Sequence, residues 1–329
     1  MPGSLMAELK MHWINFFYVC LNLSPALIPA AGGVLWKFGS RRSVVSLFAL
    51  AVADFLIPLK KDGPWPWWCR LTNTAPGKIS YHSAEVILEE PLEKEKNYMM
   101  LYHPHSLWAY GFDMAGDLLH KQFGITAVAT GADAIFSIPW LRRVMTWWGL
   151  TRVTRKSLLR TLTFPYPRNV VFLSPGGIAE MFYGIDEEQL VLAKRKGFCK
   201  VALEGGTSLV PLYVFGANEL FTRYWGPDSW AARFSKRIST SIVVWTGRFG
   251  LPFGFIAHKT KLVVVIGKPI HVDRVDSPTQ EQVDELHAKY VDALRKLFHT
   301  YKGHMGKDWP RQMLYMEDET PVSNDKKGR

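Results

Sequence analysis

Residues 169–173 read Asn-Val-Val-Phe-Leu, and residues 174–180 continue Ser-Pro-Gly-Gly-Ile-Ala-Glu. A short, continuous apolar run closed by Pro-Gly-Gly predicts a strand that enters a tight turn. Runs of the same kind lie to either side: 98–102 (YMMLY), 125–129 (ITAVA), 208–215 (SLVPLYVF, with Pro211) and 262–266 (LVVVI, closed by Gly267-Lys268-Pro269). Helix-length segments separate them: 106–123, 138–148, 155–163, 187–204 and 280–302. The last is the clearest. Pro278-Thr279 opens it, and Val283, Leu286, Tyr290, Leu294 and Leu297 repeat at intervals of three and four, a core-facing stripe with a structural role. Strands alternating with helices predict an α/β fold, a sheet with flanking helices. No internal repeat is visible, and the polar residues 314–329 read as a loose tail.

The chain has 329 residues, enough for a large core without a disulfide framework. Apolar residues make up 48% and charged residues 21%, which excludes a disordered or coiled-coil chain. Cys20, Cys69 and Cys199 are odd in number and far apart, with no CxxC spacing, which suits a reducing compartment. Forty Lys and Arg stand against 29 Asp and Glu, a net charge of +11. That balance suits an anionic partner: nucleic acid, an acidic membrane surface or a phosphorylated ligand. No nucleic-acid-binding module accompanies it, so no nucleic acid is expected. The chain has no GxSxG, no GxxxxGK[ST] and no strand-linked GxGxxG, which sets aside nucleophile-elbow hydrolysis, nucleotide hydrolysis and dinucleotide redox.

From Trp13 to Trp36 the 24 residues carry no charge, more than the ~20 that a spanning helix needs. Pro25 and Pro29 would kink it. A second apolar run, Ser43–Leu59, follows a basic loop and contains Asp54, which at a helix centre would cost ~2.5–3.5 kcal/mol on insertion scales. The pair reads as an N-terminal hydrophobic helical hairpin or re-entrant anchor; a signal peptide and buried core helices are the competing readings. Lys37, Arg41 and Arg42 on one flank and Lys60, Lys61 and Arg70 on the other leave its orientation open. The connection 61–78 is rich in Pro, Gly and Trp. Trp65, Trp67 and Trp68 fit a headgroup interface or a packed linker equally well.

Three local signals carry chemistry. Tyr102-His103-Pro104-His105-Ser106 ends a predicted strand, where an imidazole is well placed as a general base. Read from spacing alone, the His pair is a base, a structural pair bonded to backbone, or half a metal site. Ser174-Pro175-Gly176-Gly177 followed by Glu180 offers tight backbone geometry, N–H groups for an oxyanion, and an acid; a plain turn is the bland reading. Lys194-Arg195-Lys196-Gly197-Phe198 gathers three cations, a phosphate site or a solvated face.

Taken in order, these blocks resemble the type-2 diacylglycerol acyltransferase family, with its monoacylglycerol and wax-ester relatives. The resemblance covers roughly residues 79–305. YHPHS at 102–106 is similar to the family's YHPHG. GADAIFSIPWLRRVMTWWGLT (131–151) resembles the next block, in a form closer to plant and algal members. RNVVFLSPGGIAE (168–180), RKGFCKVALEGGTSLVPLYVFG (195–216) and VVVIGKPI (263–270), then PTQ (278–280), match the rest.

The resemblance implies a microsomal enzyme that transfers a fatty acyl group from coenzyme A to the hydroxyl of diacylglycerol, giving triacylglycerol. Its implied fold is a glycerophosphate-acyltransferase-like α/β sheet resting on the bilayer, with the hydrophobic hairpin ahead of it. It implies His105 as general base, His103 as its neighbour and Glu180 as the acidic partner that stabilises the imidazolium. It also implies substrate contacts at Pro104, Ser106, Pro175, Gly176 and Gly177, and CoA phosphate contacts around Arg195, Lys196, Gly197 and Phe198. No metal and no cofactor are expected beyond acyl-CoA as co-substrate. The organisation expected is an anchor over 1–60, an acyltransferase domain over 61–313 and a tail over 314–329. Two departures stand out. Ser106 replaces the family's Gly, and no acid follows His105 at the HxxxxD spacing of glycerophosphate enzymes, so Asp113 and Asp117 gain no role by motif. Direct transfer without an acyl-enzyme is expected; Ser106 as a covalent nucleophile is the competing route. Lys326-Lys327-Gly328-Arg329 fits a KKxx signal for the endoplasmic reticulum or a solvated basic tail. The basic domain is expected to face the cytosol, with lipid droplets as a second location. Monoacylglycerol or a fatty alcohol as acceptor, and a non-catalytic lipid-binding protein, are the alternatives; homo-oligomerisation is left open.

Overall fold

The computed structural model describes residues 29–39, 41–59, 64–72, 83–107, 109–163, 170–238, 241–254 and 256–319. In chain order its strands are β1 (Ser83–Leu88), β2 (Tyr98–His103), β3 (Ala127–Gly131), β4 (Thr151–Arg152), β5 (Val170–Leu173), β6 (Glu188–Leu190), β7 (Ser208–Phe215), β8 (Thr222–Arg223), β9 (Trp245–Thr246), β10 (Lys261–Ile266) and β11 (Leu314–Met316). The helices are α1 (described over 29–38), α2 (Arg41–Leu56), α3 (Pro66–Thr72), α4 (Tyr110–Phe123), α5 (Leu141–Trp147), α6 (Arg155–Leu162), α7 (Gly197–Gly205), α8 (Trp230–Ile238) and α9 (Gln280–Tyr301).

Seven strands form one sheet in the order β1-β10-β7-β2-β5-β3-β4. β2 lies parallel to both β5 and β7, and β3 runs parallel to β5 and to β4. β10 is antiparallel to β7 and closes on β1 in parallel. The expected α/β sheet with flanking helices is therefore present. Alternation along β2 divides two cores, because successive side chains leave opposite faces. Met99 and Leu101 pack with Leu158 of α6, Phe198 of α7 and Leu294 of α9. Tyr98, Met100 and Tyr102 pack with Met114, Ala115 and Leu119 of α4. α9 buries its predicted stripe and starts at a capping box in which Thr279 and Gln282 exchange side-chain and backbone hydrogen bonds.

Two segments differ from expectation. The helix expected over 187–204 is split: 188–190 is strand, and only Gly197–Gly205 is helical. The reason lies outside the segment. Its N–H groups are taken by distant carboxylates: Glu180 accepts from Val191 at 3.2 Å, and Glu317 accepts from Leu192 and Ala193 at 2.7 and 3.0 Å. The tail expected to be loose from 314 is instead folded to the end of the described residues. β11 pairs in parallel with β6, and Leu314 and Met316 are buried. Apolar Leu314 and Met316, separated by Tyr315, carry the alternation that the polar composition of the tail conceals.

Most of the first apolar arm, residues 13–28, lies outside the described residues. α1 and α2 carry exposed Val34, Trp36, Phe38, Val45, Phe48, Leu50 and Leu56. Among the described residues no helix is long and apolar enough to cross a membrane. Asp54 sits near the end of α2 rather than at the centre of a span, buried against α5. Arg143 donates to its carboxylate at 2.6 Å and to the carbonyls of Asp54 and Ile57 at 2.7 and 3.1 Å, so one guanidinium both neutralises the acid and caps the helix terminus. Trp140 N–H adds a bond to the same carboxylate at 3.3 Å. Arg143→Ala leaves that buried carboxylate without its main partner and is expected to destabilise the protein by ~3–5 kcal/mol. Limited proteolysis over 57–59 and thermal unfolding measure it; an unchanged midpoint would remove α2 from the folded unit. In the Trp-rich connection, Trp65 and Trp68 pack on Trp147 at 5.3 and 5.1 Å while Trp67 stays exposed, so this segment is in part a packed linker.

Candidate active site

In open α/β sheets, sites form at the carboxyl ends of parallel strands. β2 ends here at His103, with β5 and β7 on either side. His103 continues the face of Met99 and Leu101 and is fully buried toward α9. Its Nε2 lies 3.0 Å from the Tyr290 hydroxyl, and its Nδ1 lies 3.6 Å from Glu180 Oε1. Burial holds the Tyr290 phenol well above its ordinary pKa, so it stays a neutral donor. With the His103 proton on Nδ1, facing the carboxylate, Nε2 accepts from Tyr290.

The His103–Pro104 peptide is cis, and Pro104 beyond it is buried. His105 is half-buried. Its backbone N–H donates to Glu180 Oε2 at 2.7 Å, and its Nδ1 donates to the Ser106 carbonyl at 2.8 Å. A proton committed to Nδ1 leaves the lone pair on Nε2, the form that a general base requires. Two histidines that look equivalent in sequence thus differ: His103 is fully buried, and His105 is half-buried with its Nδ1 proton committed to Ser106 O.

Ser106 has φ of +52°, a left-handed conformation that costs an L-residue roughly 1–2 kcal/mol. Its buried hydroxyl donates to the Ala217 carbonyl at 2.8 Å, a bond whose net worth of about 0.5–1.5 kcal/mol offsets much of that cost. This accounts for Ser where the family motif has Gly. It also commits the hydroxyl expected, on the competing route, to be a nucleophile.

Glu180 is 1% exposed, on the 3-10 turn Gly177–Phe182 that follows β5. Implied as the acidic partner of the imidazolium, it accepts from the main chain of His105 and Val191 and stands beside the His103 ring. At the Gly pair one N–H is committed within the turn. The Gly177 N–H, a candidate oxyanion donor, is taken by the Ser174 carbonyl at 3.2 Å. The need for Gly176 is space: a Cβ there would lie 2.2 Å from Glu180 Cδ and 2.3 Å from Oε1. Gly176→Ala is therefore expected to displace the carboxylate, lowering stability by about 1–3 kcal/mol for the overpacking and activity by roughly 100-fold for the misplaced histidine loop. Thermal unfolding and acyl-transfer rates measure the two effects, and a fully active variant would rule out the placement of Glu180.

The loop after Glu180 is held by groups that motif reading passed over. Arg223 donates to the carbonyls of Met181, Tyr183 and Gly184 at 3.1, 3.1 and 2.9 Å. Arg311 donates to those of Gly184 and Ile185 at 3.0 and 2.6 Å. Between them sits buried Glu188, bonded by the Tyr213 hydroxyl at 2.5 Å and the Asn218 amide at 3.3 Å. Burial raises the carboxyl pKa of Glu188, and the Arg311 guanidinium opposes that rise. Tyr290 had one visible signal, a hydroxyl within an otherwise apolar helical stripe. The two arginines had none.

The basic segment divides. Lys194, Arg195 and Gly197 are exposed at the start of α7. Lys196 donates to Asp284 at 2.8 Å. Phe198, expected among the substrate contacts, is a core residue packed edge-on against Tyr290 at 5.2 Å. Pro104, Ser106 and Gly176 are buried, and Pro175 and Gly177 are half-buried beside the His105 loop.

The family model and the sequence relatives agree on one family. The family model described as diacylglycerol acyltransferase matches residues 38–314. The chain is similar to acyl-CoA wax alcohol acyltransferase 2 of Homo sapiens, 30% identical over 69% of this chain and 72% of that one. It is similar to diacylglycerol O-acyltransferase 2 of Dictyostelium discoideum, 29% identical over 68% and 71%, and to diacylglycerol O-acyltransferase 2-like protein 6 of Bos taurus, 33% identical over 88% and 90%. Among solved structures it aligns with the 1-acyl-sn-glycerophosphate acyltransferase of Thermotoga maritima at a TM-score of 0.41 and 12% identity, over 89% of this chain and 96% of that one. With the family model spanning most of the chain and relatives at about this identity along most of their length, the protein is a member of the diacylglycerol acyltransferase family.

Proposed function

We propose that this acyltransferase esterifies diacylglycerol with acyl-CoA to give triacylglycerol by direct transfer, with His105 as general base. The observation that carries the reading is the His105 Nδ1–H bond to Ser106 O, which leaves Nε2 basic at an open strand end. Nε2 takes the proton of the acceptor hydroxyl as its oxygen attacks the thioester carbonyl. The tetrahedral intermediate collapses with loss of the C–S bond, and the CoA thiolate takes that proton back from Nε2. General-base help of this kind is typically worth 10²–10⁴-fold, so positioning of both substrates supplies much of the rest. Glu180 fixes the base through its backbone, and His103, held by Tyr290, stands beside Glu180. Exposed Lys194 and Arg195 are the cations available to CoA phosphates, facing the cytosol.

The acceptor stays in the bilayer, so the protein works at the endoplasmic reticulum membrane and, in this reading, on lipid droplets. Residues 1–60 serve as the anchor, including a hairpin whose second arm is α2, and the acyltransferase domain follows. The exposed apolar side chains of α1 and α2 support this. A fatty alcohol or monoacylglycerol presents the same hydroxyl, and similarity to a wax alcohol acyltransferase favours keeping the alcohol as a second acceptor. The test is expression in membranes that lack triacylglycerol synthesis, with labelled acyl-CoA and each acceptor in turn. Labelled triacylglycerol is expected. Wax ester or diacylglycerol alone would change the acceptor, and no product from folded, membrane-bound protein would favour a lipid-binding role.

A further inference from the structure

The segment from Tyr224 to Lys259 joins β8 to β9 and runs on past them, outside the catalytic geometry. It holds five Lys and Arg against a single Asp. Within it, α8 buries Ala231 and Ser235, and the Ser235 hydroxyl accepts the Ile242 N–H at 2.7 Å. Successive helical residues turn about 100°, so Trp230, Phe234 and Ile238 share an arc of about 80°. That arc faces outward, with exposures of 57%, 45% and 41%. On the same count Arg237 and Arg233 border it on the side away from the protein, about 20° and about 60° from Trp230, and exposed Lys236 lies further round. A helix of a water-soluble surface turns such an arc inward; here two small residues face inward and the large apolar ones face out. The turn after β9 repeats the pattern, with Phe249 and Leu251 at 68% and 65% exposure and Arg248 over the Phe249 ring at 5.7 Å.

We propose that α8 is a second membrane contact, lying in the plane of a bilayer that carries anionic headgroups. Trp230, Phe234 and Ile238 enter the acyl boundary, and Arg233 and Arg237 meet the phosphates. Charge complementarity selects this occupant, because an apolar arc edged by cations is the arrangement of helices that bind acidic membrane surfaces. The contact also has a consequence for the site. Ala231 and Ala232 pack with Met181, Phe182 and Leu107, so α8 rests on the turn that carries Glu180 and on the loop after His105. α5, which clasps α2, follows the carboxyl end of β3, on the same edge of the sheet. The two lipid contacts therefore bracket the carboxyl edge and hold the open base against the bilayer. That consequence rests on the acyltransferase reading; the lipid contact does not.

The experiment uses the full chain in nanodiscs. Cys20→Ser and Cys69→Ser remove the competing thiols. Cys199 stays, since it is buried and burial pushes its thiol up to about 12. An environment-sensitive dye is placed through Phe234→Cys, and through Lys296→Cys on the exposed side of α9 as the reference. In discs containing phosphatidylserine the dye at 234 is expected to shift to the blue and to be quenched by lipid-borne spin labels, while the dye at 296 stays open to aqueous iodide. Arg233→Glu with Arg237→Glu is expected to weaken the phosphatidylserine dependence by about fivefold for each cation lost. A dye at 234 that remains open to iodide in every disc overturns the proposal, as does a shift in lipid-free detergent that grows with protein concentration, which would assign the arc to a second copy. Ile238→Cys repeats the measurement on the same arc if Phe234→Cys fails to fold. Acyl transfer in the same discs separates the two readings: lipid contact without turnover sinks the transferase reading alone, and turnover without lipid contact sinks this inference alone.

Discussion

His105→Ala is expected to lower acyl transfer by about 10²–10⁴-fold, the range that a positioned general base supplies. Folding should be nearly untouched. The imidazole is half-buried and its internal bond is to the carbonyl of its own neighbour, so its loss leaves no distant group unpaired. The measurement is turnover of labelled acyl-CoA with diacylglycerol, beside thermal unfolding and membrane recovery of the same preparation. His105→Gln is the sharper variant. It restores bulk and a donor to Ser106 O but no basic nitrogen, so it should be as inactive as alanine. A His105→Ala protein with more than a tenth of the parent rate would end the general-base assignment. Acyl label trapped on Ser106 would replace it with a covalent route.

Glu180→Ala is expected to damage stability and activity together, which distinguishes a positioning residue from the base. Its two oxygens each accept a different main-chain N–H, from His105 at 2.7 Å and Val191 at 3.2 Å. A buried donor left unpaired costs about 1–3 kcal/mol, so two of them cost roughly 2–6 kcal/mol. The histidine loop loses its tether, and a displacement of about 1 Å at such a distance from the chemistry costs on the order of 100-fold in rate. Glu180→Gln separates the effects. The amide keeps the volume and one acceptor but sets an NH₂ group against one of the two N–H donors. It should fold at low temperature and still lose most of kcat with little change in KM for acyl-CoA. An active, stable Glu180→Gln enzyme would show that the carboxylate orients nothing that matters to transfer.

Much of the fold was legible because the signals are local. The strand expected over 208–215 is β7 to the residue, and the stripe from Val283 to Leu297 is buried as its period requires. The strand expected at 98–102 is β2, one residue longer. The helix expected from 106 begins only at Tyr110, because Ser106 sits in the left-handed region and no helix propagates through it. The failure at 187–204 has another cause. Its composition suits a helix, but partners supplied by Glu180 and Glu317 claim its N–H groups first.

The sequence by itself determined five of the seven strands of the sheet, the helices α4, α5, α6 and α9, the family and the short stretches that hold the chemistry, because period, turn residues and motif spacing act over a few positions. Only the tertiary structure decided which histidine is open and what the acid does. Those answers depend on contacts between residues 75 apart, from His105 to Glu180, and 187 apart, from His103 to Tyr290. No local pattern encodes them. A buried carboxylate bonds whatever donors the packed chain brings within about 3 Å, and for Glu180 these are the backbone N–H groups of His105 and Val191.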